Sequence, residues 1–196
     1  MNADQTWIKD SNHRAIFCLL SVFHLHSSGK YRRRVASYII AARLEDREPR
    51  MANNNRIEKD SLGEYPVPVE AWYGIQTARA VDNFPISGRR PDHDFIIAHA
   101  RIKRAAAVAN NEAGWLDRKL ADAIATAADS VINGHYLTEF VVDRFQAGAG
   151  TSHNMNSNEV LANLANVALG GSKGDTRPVH PNDHVNMGQS TNDTIP

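Results

Sequence analysis

Residues 148–158, with the sequence GAGTSHNMNSN, decide the fold because they mark the change from an irregular segment to a helix. Closely spaced glycines favour a tight loop, and Ser, Thr and Asn are the residues that commonly cap helix N-termini. After Asn158 apolar residues fall on one broad helical face that ends at Gly170 and Gly171. We therefore predict a loop over residues 146–156 that leads into a helix beginning after Asn158. The positions on that face are Val160, Leu161, Leu164, Ala165 and Ala168.

Two further helices are predicted upstream of this segment. Residues 95–113 have apolar side chains at helical spacing and are followed by Gly114, a plausible stop. Residues 117–133 form a second apolar stripe that begins at the capping residue Asp117. The spacing that defines the first of these helices is carried by Ile96, Ala100, Lys103 and Ala107.

The remaining segments are predicted to be less regular. Pro66 and Pro68 interrupt any helix, so a loop or a short strand is expected there. Residues 172–189 are rich in Gly, Pro, Asp, Asn and His and predict a surface loop. The sequence STND at residues 190–193 supplies consecutive capping residues, and a new helix should begin there. Together these segments predict a mainly α fold with a small amino-terminal hairpin.

Composition limits the classes of partner. Lys and Arg total 22, and Asp and Glu total 22, so the charge balance gives no reason to expect nucleic acid or an anionic membrane. Cys18 is the only cysteine, which excludes an internal disulfide and fits a reducing, cytoplasmic location. The apolar run at residues 16–23 is far shorter than the roughly 20 residues of a membrane span. We expect a small molecule or another subunit as the partner.

Residues 1–50 differ in character from the rest of the chain, because basic residues outnumber acidic ones there. An organellar transit peptide and an upstream extension without a packed role are the two interpretations. The acidic residues within this segment favour the extension, with Met51 as the natural start. We predict that residues 1–50 are a non-native or disordered leader.

Two segments concentrate hydroxyl and amide side chains at predicted helix starts, residues 148–156 and residues 190–193. Free N–H groups in the first turn of a helix, together with Ser, Thr and Asn donors, favour a carboxylate or a phosphate. Two such segments would suit a dicarboxylate. Taken singly, each segment is explained as well by turns and helix caps.

The order of several separate motifs resembles the aspartase/fumarase superfamily. The resemblance covers residues 56–196 almost without a gap. Its motifs are long and specific, which is why the resemblance outweighs the simpler explanation of turns and caps. They are RIEKDSLG at 56–63, YGIQTARA at 73–80, NFPISG at 83–88, IKRAAA at 102–107, the segment at 148–158, HPNDHVN at 180–186 and QSTND at 189–193.

The resemblance implies a domain organisation. Residues 51–190 would form the amino-terminal helical domain of the fumarase/aspartase fold, and residues 191–196 would start a central helical bundle that is truncated at Pro196. In the family, bundles from four subunits pack into one core, and each active site is assembled from three subunits. We therefore expect a homotetramer when the protein is full length, with no cofactor and no metal.

The resemblance also implies which side chains hold the substrate, a small dicarboxylate such as aspartate or fumarate. They are Thr151 of the Gly-rich segment and the run Ser190, Thr191 and Asn192. Family chemistry removes a proton from the carbon beside a carboxylate, forms an aci-carboxylate, and expels ammonia or water. The serine that accepts the proton is expected beyond Pro196, so we predict that this chain alone is inactive.

Three functions stay open at this stage. Ala149 and Thr191 stand where fumarases typically have serines, which favours an aspartate ammonia-lyase. A class II fumarate hydratase is the alternative, because residues 177–183 match a secondary dicarboxylate site known in fumarases. A non-catalytic fragment that only associates with full-length subunits is the third possibility. The residues of the secondary site are Arg177, His180, Asn182 and Asp183.

Other residues have simpler interpretations beside functional ones. His180 and His184 could hold a metal ion, but Pro181 disfavours a shared helical face and hydrogen-bonded loop histidines are the simpler account. His153 could donate to a substrate, although we expect it to face solvent. Arg79 could neutralise a carboxylate or act as a structural clamp. Lys103 and its neighbour Arg104 are predicted to form a solvated helix face.

Overall fold

The computed structural model describes residues 54–195 of the chain. The leader predicted over residues 1–50 lies outside the described residues. Within the described part the fold is mainly α, as the sequence predicts, and no helix there is long and apolar enough to cross a membrane. The division at residue 190 between an amino-terminal domain and a central bundle stays a prediction.

The described chain starts with an antiparallel hairpin. Strand β1 (Asn55–Asp60) pairs with β2 (Gly63–Pro68) in a register that sets Asp60 opposite Gly63. The turn is tight because Asp60 accepts a hydrogen bond from the Leu62 N–H and Gly63 adopts a φ of 110°, which favours glycine. The expected small hairpin is confirmed.

Arg79 is the structural clamp of this hairpin. Its guanidinium donates to both carboxylate oxygens of Asp60, at 3.0 and 3.1 Å, and to the Gly63 carbonyl. It also lies over the Tyr65 ring, 4.6 Å from the ring centroid. Bidentate pairing and stacking of this kind are typical of structural arginines.

Helix α1 (Ile75–Asn83) was not predicted from the sequence. Its N-terminal N–H groups have no cap from the preceding residue, Gly74. They are capped instead by carboxylates from outside the helix: Glu159, which is distant in the sequence, accepts hydrogen bonds from the Gly74, Gln76 and Thr77 N–H groups, and Glu58 accepts the Ile75 N–H. A cap supplied from so far along the chain leaves no local pattern, which is why the helix was missed.

Helices α2 (His93–Glu112) and α3 (Arg118–Ile132) confirm the two upstream helix predictions. Asp117 caps α3 by accepting a hydrogen bond from the Lys119 N–H at 2.8 Å. The two helices pack on each other through small and branched side chains, with Ala128 and Ile124 completely buried. Alanines at the contact let the helix axes approach closely.

Helix α4 (Thr151–Ala168) begins at Thr151, so the predicted loop over residues 146–156 and the helix start after Asn158 are wrong. The first turns of α4 bury polar rather than apolar side chains, and an apolar periodicity cannot detect them. Asn156, for example, is fully buried, accepts a hydrogen bond from the Val141 N–H and donates one to the Glu139 carbonyl. Asn166 likewise donates hydrogen bonds to the Asp175 and Val179 carbonyls and accepts one from the Val179 N–H.

The segment after α4 is more ordered than a surface loop. Val179 and Val185 are buried, and a π-helical turn spans Pro181–Val185. The short helix α5 (Thr191–Thr194) starts where the capping residues predict a helix. The prediction of a surface loop over residues 172–189 therefore holds for residues 172–178, which are irregular and mostly exposed, and is wrong for the π-helical turn, because Val179 and Val185 anchor that part of the segment in the core.

Asp143 holds another irregular segment in place. Its carboxylate accepts hydrogen bonds from the N–H groups of Ser87, Gly88 and Phe145 and from the Ser87 hydroxyl, at 2.7 to 2.8 Å. Burial alone would raise the pKa of Asp143, but these donors outweigh burial and hold the pKa at about 2. The carboxylate is therefore ionised whenever the surrounding loop is folded at neutral pH.

Candidate functional site

The Gly-rich turn and the short helix α5 meet in the fold. A 3-10 turn at Gly148–Gly150 leads directly into α4, and this turn contacts α5. Gly150 has a φ of 70°, and a side chain at this position would overlap the side chain of Ile195. The contact thus needs glycine both for its backbone conformation and for its lack of a Cβ.

The four predicted binding residues lie on these two adjoining segments. Thr151 is the first residue of α4 and is exposed, and its hydroxyl is 3.3 Å from the Gly148 carbonyl. Ser190 and Asn192 are exposed and Thr191 is partly buried. The structure therefore brings together two segments that are far apart in the sequence, with hydroxyl and amide groups near their contact.

A buried polar network lies behind this contact. The ammonium of Lys103, on α2, donates to the side-chain oxygens of Asn154 at 2.7 Å and Asn186 at 2.9 Å. The amide nitrogen of Asn154 in turn donates to Asn186 Oδ1 and to Thr191 Oγ1, at 3.1 and 3.2 Å. The amide nitrogen of Asn186 donates to the Gln189 carbonyl. A continuous chain of hydrogen bonds thus runs from Lys103 to a predicted substrate-binding hydroxyl.

Lys103 is completely buried, so the prediction that it forms part of a solvated face is wrong. Burial disfavours the charged form and lowers the pKa of Lys103 to about 7. The signal was present in the sequence, because Lys103 occupies the same helical stripe as Ile96, Ala100 and Ala107. A lysine on a buried stripe indicates a polar partner inside the protein rather than solvent.

His153 is also buried, and the expectation that it faces solvent is wrong. Its ring lies against Phe95, His99 and Phe140, with centroid distances of 4.6, 5.1 and 6.0 Å. Burial, with a smaller contribution from the Lys103 charge, lowers the pKa of His153 to about 4. His153 is therefore neutral at physiological pH and belongs to the packed interior.

A second group of polar residues lines a surface pocket at the π-helical turn. Arg177, His180 and Asp183, three of the four residues of the predicted secondary site, lie in its wall. Asn182 is exposed and is not part of that wall; its N–H donates to His180 Nδ1 at 3.2 Å. The other lining residues are Thr176, Pro178 and His184.

The hydrogen bonds of the two histidines determine what this pocket can bind. His180 Nδ1 accepts N–H groups from Asn182 and Asp183, and His184 Nδ1 accepts the His180 N–H at 2.9 Å. A neutral imidazole that accepts at Nδ1 carries its proton on Nε2. Each ring is thus a hydrogen-bond donor at Nε2, which suits a carboxylate better than a metal ion. Among residues 54–195 no group of three His, Cys, Asp or Glu side chains is arranged to hold a metal.

This chain is similar in sequence to known proteins. A family model described as lyase matches residues 63–196. A class II fumarate hydratase from Halobacterium salinarum is 55% identical over 146 residues, which are 74% of this chain and 31% of that protein. An aspartate ammonia-lyase from a Bacillus species is 50% identical over 146 residues, again 74% of this chain and 31% of the relative.

Solved structures show the same similarity. The crystal structure titled fumarate lyase:delta crystallin from Brucella melitensis, in native form, is 50% identical with a TM-score of 0.69 and covers 71% of this chain and 32% of that one. Recombinant class II fumarase from Schistosoma mansoni is 43% identical with a TM-score of 0.68, covering 72% and 30%. The chain thus spans about a third of the length of the curated relatives it matches.

Proposed function

Because this chain belongs to the aspartase/fumarase superfamily of lyases, we propose that the protein is an aspartate ammonia-lyase that converts L-aspartate into fumarate and ammonia. The observation that carries the proposal is the contact between the Gly148–Gly150 turn and α5. That contact gathers donors from two distant segments around one place on the surface. A molecule with two carboxylates is the ligand that such an arrangement suits best.

The proposed binding residues are Thr151, Ser190, Thr191 and Asn192. In the reaction a base removes a proton from the β-carbon of aspartate, which lies beside the carboxylate farther from the amino group. The electron pair that is left moves into that carboxylate and gives an aci-carboxylate with an additional negative charge. The pair then forms the double bond while the bond to nitrogen breaks and ammonia leaves. The base is expected from the resemblance to be a serine that these 196 residues do not include.

Neutral donors suit this intermediate because its charge grows as the proton leaves. A hydroxyl or amide N–H aimed at the developing charge stabilises it without transferring a proton. One donor of this kind contributes about 2.7–4 kcal/mol in the oxyanion holes of other enzymes. We therefore assign the exposed hydroxyl of Thr151 and the side chains of residues 190–192 the role of binding the carboxylate on which the charge develops.

Two residues favour ammonia elimination over hydration. Ala149 and Thr191 stand where fumarases typically have serine. Ala149 lies within the turn that contacts α5, with a φ of 57°, and it presents a methyl group where a serine would present a hydroxyl. A site with one hydroxyl fewer offers one hydrogen bond fewer to the water molecule that adds to fumarate, or to the hydroxide that leaves in the reverse reaction.

A class II fumarate hydratase is the second candidate. It is favoured by the relative from Halobacterium salinarum, which is named so and is 55% identical, and by the pocket at Arg177, His180 and Asp183. We propose that this pocket, together with the adjoining Asn182, is a secondary dicarboxylate site in which Arg177 and the histidine N–H groups donate. Such a pocket is compatible with either reaction, so it does not decide between them.

The third candidate is a protein without activity of its own that associates with full-length subunits. Under the main proposal the complete enzyme is a cytoplasmic homotetramer without a cofactor. The exposed apolar side chains of Phe145 and Val167, 56% and 40% accessible, are compatible with burial between subunits. Size measurement in solution tests this part of the proposal.

One assay separates the three functions. The full-length protein, with the base serine expected outside these 196 residues, is incubated with L-aspartate, or separately with L-malate, and fumarate formation is followed by its ultraviolet absorbance. The reverse reaction is then run from fumarate with and without ammonium. The proposal predicts fumarate from aspartate and fumarate consumption that requires ammonium. Turnover of malate, or consumption of fumarate without ammonium, would establish the hydratase instead, and no turnover of either substrate by the full-length protein would leave only the non-catalytic candidate.

A further inference from the structure

Lys103 is a buried cation whose environment calls for an explanation. Its side chain is 0% exposed, and its hydrogen-bond partners are the neutral oxygens of Asn154 and Asn186. Within residues 54–195 no carboxylate forms an ion pair with it. Burial of an ammonium without a countercharge is unfavourable and normally tolerated only where the charge has a use.

The hydrogen bonds fix the direction of each group in the network. Lysine can only donate, so Lys103 orients the oxygen of Asn154 towards itself. The amide nitrogen of Asn154 then points away from Lys103 and donates to Thr191 Oγ1 at 3.2 Å. Because that contact uses a lone pair of the Thr191 oxygen, the hydroxyl proton of Thr191 is available for another acceptor.

We propose that Lys103 is a positioning residue for dicarboxylate binding, because it holds Asn154 in the orientation that leaves the Thr191 hydroxyl free to donate to a carboxylate of the ligand. The inference rests on the proposed function only for the location of the ligand. The buried positive charge acts in the same direction, since the chain of donors polarises towards the Thr191 hydroxyl and strengthens its bond to an anion. Lys103 itself does not touch the ligand.

Other titratable and charged groups lie on α2 and on the elements that pack near it. Burial holds the pKa of His99, on the same helix, at about 2 and that of His153, on α4, at about 4. On the π-helical turn, burial lowers the pKa of His184, and Asp183 is largely exposed. On α3, Asp129 pairs with Arg104 at 2.7 Å. The pKa of Lys103 itself is about 7.

The test compares fumarate binding by calorimetry in the full-length wild-type protein and in its variants Lys103→Met and Asn154→Asp. Methionine is unbranched like lysine, lacks its charge and is one atom shorter. Aspartate at position 154 keeps an oxygen for Lys103 but replaces the amide donor with an acceptor, so the Thr191 hydroxyl turns inward. We expect each variant to bind fumarate about tenfold more weakly or worse, the loss of one charge-assisted hydrogen bond. Arg104→Met, at the neighbouring exposed position on the same helix, is the matched control and should bind as the wild type does.

Two further measurements distinguish positioning from a general effect on the fold. In a double-mutant cycle, the losses from Asn154→Asp and Thr191→Val should be strongly non-additive, because both remove the same hydroxyl contact. The fumarate affinity of the wild type should fall as the pH rises from 6 to 8, as Lys103 loses its proton around pH 7, and Lys103→Met should show no such slope. Should Lys103→Met fail to fold, Asn154→Asp and the pH profile of the wild type still decide the question.

The outcomes separate this inference from the proposed function. Unchanged fumarate affinity in a folded Asn154→Asp protein, or additive losses in the cycle, would overturn the role of Lys103 while leaving the lyase proposal intact. Weakened binding in the variants of a full-length protein that turns over neither aspartate nor malate would support the role of Lys103 and overturn the lyase proposal. A wild-type protein that binds no fumarate would overturn both.

Discussion

Replacing Glu159 by glutamine tests how the amino-terminal part of the fold is held together. Glu159 lies on α4, is 4% exposed and caps helix α1. Its Oε2 atom accepts hydrogen bonds from the Gly74 and Thr77 N–H groups and from the Thr77 hydroxyl, and Oε1 accepts the Gln76 N–H at 2.8 Å. A glutamine has the same shape but only one oxygen and carries no charge.

The expected loss follows from the number of acceptors. If the amide oxygen takes the place of Oε2, the amide nitrogen must face the Gln76 N–H, and that donor is left unpaired. An unsatisfied donor of this kind costs about 1–3 kcal/mol. Losing a negative charge at the N-terminus of a helix costs roughly another 0.3–1 kcal/mol. We therefore expect Glu159→Gln to lower the free energy of unfolding by about 1.3–4 kcal/mol, a large part of the 5–15 kcal/mol that typical domains have.

Urea unfolding followed by circular dichroism measures this difference at neutral pH. Glu112→Gln, at an exposed position near the end of α2, is the matched control and should change the unfolding free energy by less than about 0.5 kcal/mol. Burial raises the pKa of Glu159, while its donors oppose that rise. If Glu159→Gln were as stable as the wild type, the carboxyl would have to be protonated in the fold, and the argument from a charged cap would be refuted.

Three other changes have definite expected results. Gly150→Ala should weaken fumarate binding, measured by calorimetry, because the new methyl group displaces Ile195. Its control is Gly114→Ala, at a φ of 78° with open space around it, which should not change the affinity. Both substitutions should cost a similar backbone strain of roughly 1–2 kcal/mol, measured by urea unfolding. Asp143→Asn should reduce stability most above about pH 4, and the difference from the wild type should shrink as the pH falls towards the Asp143 pKa of about 2, which acid unfolding curves would show. Ile124→Ala, at a completely buried position between α2 and α3, should lower the free energy of unfolding by roughly 2–5 kcal/mol in the same urea assay.

The sequence predicts those elements whose stability is local or apolar. Helices α2 and α3 show the periodicity of a buried apolar face, and Asp117 marks the start of α3 within the same segment. Helix α1 could not be predicted in this way, because its cap is Glu159. The start of α4 was missed for a related reason: its first turns are buried by amide hydrogen bonds, which leave no apolar pattern.

The candidate site was only partly predictable for the same physical reason. The hydroxyl residues at 151 and 190–192 attract attention in the sequence because they are clustered and polar. Lys103, Asn154 and Asn186, which support Thr191 from behind, come from three separate elements and meet only in the folded chain. The one available sign was that Lys103 interrupts an otherwise apolar helical stripe.

The most direct test of the binding site is the dissociation constant for fumarate of a protein in which Thr151 and Asn192 are both replaced by alanine. Thr138→Ala combined with Asn133→Ala, at two exposed positions outside the site, serves as the control. Each lost hydrogen bond to a charged ligand is worth at least about 1.5 kcal/mol, so the double variant should bind roughly 100-fold more weakly while the control keeps the wild-type value. If the double variant folds and binds fumarate as tightly as the wild type, the dicarboxylate is not held where the Gly-rich turn meets the last helix, and the proposed site is wrong.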